Sequence, residues 1–243
     1  MILYLLAILM AALSGVPGLF LRKRGGETAA VLLGLGALLG LAASGWALLG
    51  GVVWTQGLPY TPLGSAGLLR FDPIAAFFLI PILVLSTAGS VYGIAYFGDG
   101  HEGARNVRFL YGLTTAFLAL LVSAAHAVTF LVAWEGMAIS GFFLVVTEDR
   151  EPETQRAGWI YLIATHAGTL CLFGAFALMA STLGNFSFSG FSSGFAATGR
   201  GTLIFLLFLI GFGIKAGIFP FHFWLPVAHA AAPSHVSSFM SGV

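Results

Sequence analysis

Runs of about twenty mostly apolar residues recur along the chain, near 2–21, 28–50, 72–97, 107–124, 127–147, 157–183 and 202–220. A helix needs about 20 such residues to cross the hydrocarbon layer of a bilayer. A further stretch starts near 233 and runs to Val243. Inside lipid every backbone polar group must be satisfied within the fold, which leaves helices and closed barrels. The runs lack the short alternating pattern of barrel strands. The expected fold class is therefore all-α: a polytopic transmembrane helix bundle of about seven spans plus a truncated broken-helix segment. Only 8% of the 243 residues are charged, against about 25% in soluble domains. The net charge of +1 gives no pointer to nucleic acid. The bilayer is the first partner expected. The lone cysteine, Cys171, cannot close an internal disulfide or form a redox pair.

Basic residues set the orientation. The first run reads as an uncleaved anchor, because Arg22, Lys23 and Arg24 follow it rather than precede it. With the N-terminus outside, inside loops carry Arg22, Lys23, Arg24, Arg105, Arg108, Arg150 and Arg156, and outside loops carry only Arg70 and Arg200. Outside loop 51–70 offers Trp54 and Tyr60 to the membrane interface, and loop 184–200 offers interfacial phenylalanines. "TEDREPETQR" reads as a polar loop ahead of a helix. Small residues at 36, 40 and 44 predict close helix packing within the bundle. Asp72 in "RFDPIAAFF" predicts a helix N-cap, with Pro73 at the first helical position.

Two charges break the pattern. Glu135 sits in "AVTFLVAWEGMAISGFFLVV" and Lys215 in "FLIGFGIKAGIFPFHFWLP". A charge at mid-bilayer costs about 2.5–3.5 kcal/mol on insertion scales, and such residues mark functional sites. One reading is a structural ion pair between helices. The other is a pair of titratable stations. A nearby opposite charge favours the ionised form of each group and burial opposes it, so separating the partners would move a proton.

After Lys215 come Pro220, Pro226 and Pro233, with His222, His229 and His235 among them. Prolines break helices, and broken helices in membranes line polar cavities. Each histidine can pass protons or simply hold a hydrogen bond. Their spacings of seven and six match no usual metal-ligand pattern, so no metal is expected. His166, mid-span in "YLIATHAGTLCLF", extends a line from Glu135 to Lys215. His126 falls at a turn between two spans and reads as a surface residue.

"WEG" in a fifth span, "FDPIAAFF" before it and "KAGIFPFHFWLPVAHAAAPSHVSSFMSGV" after it resemble the antiporter-like proton-translocating subunits. That family holds the large membrane subunits of complex I, the multisubunit (Mrp) sodium/proton antiporters and the membrane-bound hydrogenases. "GWIYLIATHAGTLCLF" and "APSHVSSFMSGV" are most similar to the formate hydrogenlyase type of hydrogenase subunit. The resemblance implies inverted five-helix repeats. Residues 1–106 then form an N-terminal three-span region, and 107–243 the first, incomplete repeat, so the chain is expected to be a fragment or one piece of a split subunit. It implies proton translocation through Glu135 and Lys215, and the reading of the residues themselves adds His166, His222, His229 and His235 as candidate proton carriers. The complex I members place a histidine close to Ser241 rather than at His235, a departure for the onward relay. The expected partners are other membrane subunits, the missing second half, and peripheral hydrogenase or dehydrogenase subunits. The expected location is the inner (plasma) membrane of a prokaryote. No cofactor motif is present, so redox chemistry is expected in partner chains. The competing readings are a sodium/proton antiporter subunit and a non-conducting scaffold.

Overall fold

The computed structural model describes residues 1–21, 24–58, 67–98, 103–147, 151–191 and 199–243. Arg22, Lys23, Tyr60 and Arg150, used in the charge and interface readings, lie outside the described residues, as do Glu148 and Asp149 of the polar loop. The elements are α1 (Ile2–Leu13), α2 (Val16–Phe20), α3 (Gly25–Gly50), β1 (Trp54–Leu58), β2 (Gly67–Phe71), α4 (Pro73–Phe97), α5 (Ala104–Val122), α6 (Ala127–Val145), α7 (Pro152–Leu183), α8 (Gly201–Ala216), α9 (Leu225–Ala231) and α10 (Ser234–Gly242), with short 3-10 turns at Phe188–Gly190 and Phe221–Trp224. Neighbours run α4–α3–α1–α5–α6–α7–α8, and α10 returns to α4 while α9 lies on α7.

Among the described residues, six helical segments are long and apolar enough to cross a membrane: Ile2–Phe20, Gly25–Gly50, Pro73–Phe97, Ala127–Val145, Pro152–Leu183 and Gly201–Ala231. The sequence predicted seven. The exception is α5, whose 19 residues include Arg105, Asn106, Arg108, Tyr111, Thr114 and Thr115. It still runs the length of the bundle. Near its start Arg108 donates from Nη2 to the Gly98 carbonyl at 3.0 Å. Its end joins a small backbone belt at the opposite side. There parts of the loop 51–70 form an antiparallel pair of strands, β1 against β2, with Trp54 opposite Phe71. The pair is held because Phe71 stacks between Trp54 (5.9 Å) and Tyr4 (4.3 Å). Arg70 N donates to Ser123 O at 2.7 Å, and Ala127 N to Phe186 O at 2.8 Å. Segments 67–71, 123–127 and 186–188 therefore meet at one end of the bundle, and the Arg108 end lies opposite.

His126 sits inside that belt, not on the surface: it is 6% exposed. It caps α6, its Nδ1 accepting from Val128 N at 3.3 Å. Asp72 caps α4 as expected, accepting from Ala75 N at 2.9 Å. The small-residue stripe of α3 packs within the bundle. A Cβ on Gly36 would lie 3.0 Å from Met10 Cβ, and one on Gly40 would lie 2.5 Å from Leu83 Cδ1. Ser44 is fully buried.

Two outcomes follow from this packing. A Cβ at Gly15 would lie 2.2 Å from the Phe109 Cα, in backbone that cannot yield. Gly15→Ala should lower stability by about 1–3 kcal/mol. Gly34→Ala, whose Cβ meets only Thr87 Cγ2 at 3.8 Å, should be neutral or slightly stabilising. Thermal unfolding in detergent compares the two. Burial also pushes the His126 imidazole below its usual value of 6.5. The native cap needs an unprotonated Nδ1, while the unfolded chain takes up the proton first as the pH falls. This contribution is complete above about pH 6.5 and is lost as the pH falls from there through the lower native value. Unfolding midpoints should therefore drop on acidification, and His126→Asn, a good cap that does not titrate, should flatten part of that drop.

Candidate functional site

Helix α6 is apolar on nearly every side, so its rotation is set by its neighbours rather than by an amphipathic stripe. Trp134, Met137, Gly141 and Leu144, at helical spacing, line a cavity of about 320 Å³ that also holds Lys215. Glu135 lies one residue further, about 100° around the helix. It points away from that cavity, toward α7.

Lys215 is in the last turn of α8, near the middle of the Gly201–Ala231 segment. The helix stops at Gly217, whose φ of +65° suits glycine and where a Cβ would meet Leu225 Cδ1 at 2.6 Å. The predicted break is thus present, with α9 and α10 following as short pieces. Trp224 Nε1 donates to the Ile214 carbonyl at 2.7 Å, which also accepts from Gly217 N at 3.2 Å. The Lys215 ammonium suits a helix C-terminus, where the backbone dipole is negative. Its Nζ donates to the Tyr161 hydroxyl at 3.2 Å. It lies 5.3 Å from the Tyr161 ring centroid and 5.9 Å from that of Trp134. Gly141 makes room for this tyrosine, since a Cβ there would be 2.7 Å from the hydroxyl. Thr114 on α5 also lines the cavity and is bonded to the Ser140 hydroxyl at 2.8 Å.

Glu135 pairs with His166, Oε2 to Nε2, at 3.3 Å. The other ring nitrogen, Nδ1, is 3.0 Å from the Leu162 carbonyl. With Nδ1 donating to that carbonyl, the Nε2–Oε2 contact is attractive only with a second proton between them. The pair is then neutral overall, either as acid and imidazole or as carboxylate and imidazolium. Glu135 Oε1 is buried with no hydrogen-bond partner. Around the pair, Val132, Ile139, Phe143, Ile163, Leu170 and Phe173 are exposed.

The expected line from Glu135 through His166 to Lys215 is present in its first leg only. Among the described residues no carboxylate lies within ion-pair distance of Lys215. The remaining histidines occupy separate places. His222 is exposed, its ring 5.7 Å from that of Phe219. His229 Nδ1 contacts Ser237 Oγ at 2.9 Å. His235 is buried among aromatic rings of α4 and α5. Sequence reasoning missed Tyr161 and Trp134 as the lysine's neighbours. Their signal was available: "WEG" places Trp134 next to the charge, and Tyr161 shares a span with His166.

These features define a class: a multi-pass membrane bundle with ionisable groups at mid-span and a helix broken beside a lysine. Residues 124–243 match the transmembrane family described as NADH:quinone oxidoreductase/Mrp antiporter. The chain is 37% identical over 177 residues to hydrogenase-4 component B of Escherichia coli, covering 72% of this chain and 26% of that one. It is 28% identical over 249 residues to NADH-quinone oxidoreductase subunit N of Deinococcus radiodurans, covering 98% and 49%. A chain of the Mrp complex from Dietzia sp. superposes with a TM-score of 0.83 at 27% identity, over 98% of this chain and 26% of that chain. The archaeal membrane-bound sulfane sulfur reductase shares the fold, with a TM-score of 0.84 at 21% identity over 98% and 38%. The chain belongs to this antiporter-like family of membrane subunits, and it spans between about a quarter and a half of the length of these relatives.

The geometry predicts which charges couple. In a double-mutant cycle read by unfolding in detergent, Glu135→Gln and His166→Gln should show an interaction of at least about 0.5 kcal/mol. The cycle between Glu135→Gln and Lys215→Met should give a smaller value, because the two side chains face different sides of α6.

Proposed function

We propose that the protein is a proton-translocating membrane subunit of a hydrogenase-like or complex I-like respiratory assembly. One observation carries the reading: Lys215 stands at a mid-membrane helix break, beside a 320 Å³ cavity, with a tyrosine hydroxyl and two aromatic faces for company. The cavity has room for water beside the ammonium and the Thr114 and Tyr161 hydroxyls. A hydrated lysine without a carboxylate partner can release and rebind a proton as its surroundings change. Glu135 with His166 is the second station, and His222, His229 and His235 supply further titratable groups along the broken segment. Family membership supports the assignment, since the relatives are named as parts of hydrogenase, NADH-quinone oxidoreductase and Mrp assemblies.

The same reading assigns partners and placement. The exposed α6–α7 face around Glu135 and His166 would be costly against lipid, so another membrane subunit is assigned to cover it, with peripheral hydrogenase or dehydrogenase subunits carrying redox chemistry. Residues 1–106 form an N-terminal three-span region, and 107–243 belong to an antiporter-type repeat. Arg24, Arg105 and Arg108 lie at the end away from the paired strands, which supports the reading of that end as cytoplasmic in a prokaryotic cell and of the N-terminus as outside.

The test uses the assembled complex in sealed membranes. Glu135→Gln and Lys215→Met should each lower proton pumping by about tenfold or more, with assembly preserved as judged by subunit recovery. Undiminished pumping in the lysine variant would leave only a scaffold role.

A further inference from the structure

The paired strands, the start of α4, the end of α5 and the turn at Ser187–Ser189 surround an open cavity of about 420 Å³. That size falls in the range of small-ligand sites. Its walls are tied together by backbone. Arg70 N donates to Ser123 O at 2.7 Å, Ala125 N to Leu68 O at 2.9 Å and Phe188 N to Ala125 O at 3.1 Å. Among the described residues, the polar lining is one guanidinium, one carboxylate and three hydroxyls, from Arg70, Asp72, Thr55, Ser187 and Ser189. No residue of the Lys215 cavity lines it.

Arg70 and Asp72 stand side by side, Nε to Oδ2 at 3.4 Å, with 53% and 23% of their side chains exposed. An ion pair this exposed contributes little to stability on its own. Among the described residues only the Arg70 Nε has an acidic neighbour, and the Nη1 and Nη2 donors have no acceptor. Asp72 Oδ1 accepts from Ala75 N at 2.9 Å, and a carboxylate has about four acceptor sites. The cavity therefore offers a forked donor and an acceptor of opposite charge next to each other. Its depth is marked by aromatic residues. Thr55 follows Trp54, whose ring meets that of exposed Trp46 at 6.2 Å, and tryptophans at a bundle end sit at headgroup level. Ile74 lies at the rim and is exposed. Phe77 and Phe78, one turn further along the same face of α4, are exposed as well. A charged cavity thus opens onto an apolar stripe that runs down into the hydrocarbon.

We propose that this cavity binds the headgroup of a phosphoethanolamine lipid, whose acyl chains lie along Ile74, Phe77 and Phe78. The Arg70 guanidinium takes the phosphate through its free nitrogens, in the forked geometry that suits phosphate oxygens. The primary ammonium donates to Asp72, and the hydroxyls of Thr55, Ser187 and Ser189 surround the remaining polar atoms. The match is to a zwitterion, because the site carries both signs of charge. A phosphocholine head has no N–H to give to Asp72. A phosphoglycerol head brings a negative charge beside Asp72 without a cation to balance it. The proposal needs only that the bundle sits in a bilayer, and it stands apart from the proton-translocating reading.

Lipid binding to the full chain, purified in mild detergent with the membrane subunits that accompany it, tests this. Phosphoethanolamine, phosphocholine and phosphoglycerol lipids with identical acyl chains are titrated in turn, and bound lipid is read by native mass spectrometry. The phosphoethanolamine lipid should bind about tenfold more tightly than either of the others, the size of one charge-assisted hydrogen bond. Arg70→Gln should weaken its binding by about tenfold on the same grounds. Asp72→Asn keeps the helix cap and should erase the preference over phosphocholine. In lipid-free detergent Arg70→Gln should unfold close to the parent, because the exposed ion pair contributes little. If that variant is not recovered, Arg70→Lys, which keeps the charge and loses the fork, carries the test with an expected weakening of about threefold or more. Equal binding of the three lipids by the parent overturns the proposal, and so does parent affinity in the arginine variant or an unchanged preference in Asp72→Asn. Tighter binding of the phosphoglycerol lipid overturns it too, since the cavity then serves an anion alone. Free phosphoethanolamine, without chains, should not displace the lipid at equal concentration; if it does, the occupant is a soluble phosphate ester and the lipid assignment fails.

Discussion

A helix that stops in the middle of a membrane leaves carbonyls with no water to accept from, and the fold is arranged around that fact. The break at Gly217 sets the last turn of α8, and Lys215 with it, inside the bundle. Trp224 folds back to the Ile214 carbonyl, which requires the 3-10 turn at Phe221–Trp224 and the short α9 behind it. The chain then turns again at Pro233, and α10 crosses to α4, far from α8 in the row of helices. The path after this break brings α10 back to α4 and beside the Lys215 cavity, which is lined by residues of α5, α6, α7, α8 and α10.

The two buried charges are handled by different physics. Among the described residues Lys215 has no carboxylate within ion-pair distance, and its neighbours are the Tyr161 hydroxyl, the faces of two aromatic rings and a cavity. A cation over an aromatic ring gains roughly 0.5–2 kcal/mol, less than the cost of an ammonium without hydration, so the cavity is essential to the charged form. Glu135 instead lies on an exposed apolar face and meets a histidine. A carboxylate and an imidazole sharing one proton carry no net charge, which lowers the penalty of that location.

Much of the fold was legible in the sequence. The spans near 28–50, 72–97, 127–147 and 157–183, the Asp72 cap and the proline-broken segment follow from chain length in lipid, side-chain capping and the missing N–H of proline. The facing of each helix was not legible. In a helix apolar on all sides, Trp134 and Glu135 look equally inward, and a rotation of about 100° decides which one meets the lysine. The direct partner of Glu135 was hidden for that reason, although His166 had been placed on the path. His126 was misplaced because a turn between spans ordinarily meets water, whereas here backbone from three segments closes over it. The pairing of 54–58 with 67–71 depends on Phe71 reaching Tyr4, a long-range contact that no local pattern carries. Helix α5 passed as an ordinary span because its arginines fall near its start. Its hydroxyls are spent on backbone carbonyls one turn back, as Thr114 to Leu110 O at 2.8 Å and Thr115 to Tyr111 O at 2.9 Å.

Separation by α6 does not isolate the two stations electrostatically. A helix with its side chains is about 10 Å across. Two unit charges that far apart interact by about 1.7 kcal/mol at an effective dielectric constant of 20, a little more than one pKa unit. When the shared proton lies on Glu135, the dipole of the Glu135–His166 pair is small. When it lies on His166, the carboxylate and imidazolium form a dipole with one end nearer Lys215, and the field at the lysine changes by a fraction of that figure. Coupling between the stations therefore needs neither contact nor an intervening ion pair. It needs only that the proton between Glu135 and His166 have two positions, and that whatever covers the exposed face of α6 and α7 favour one position over the other.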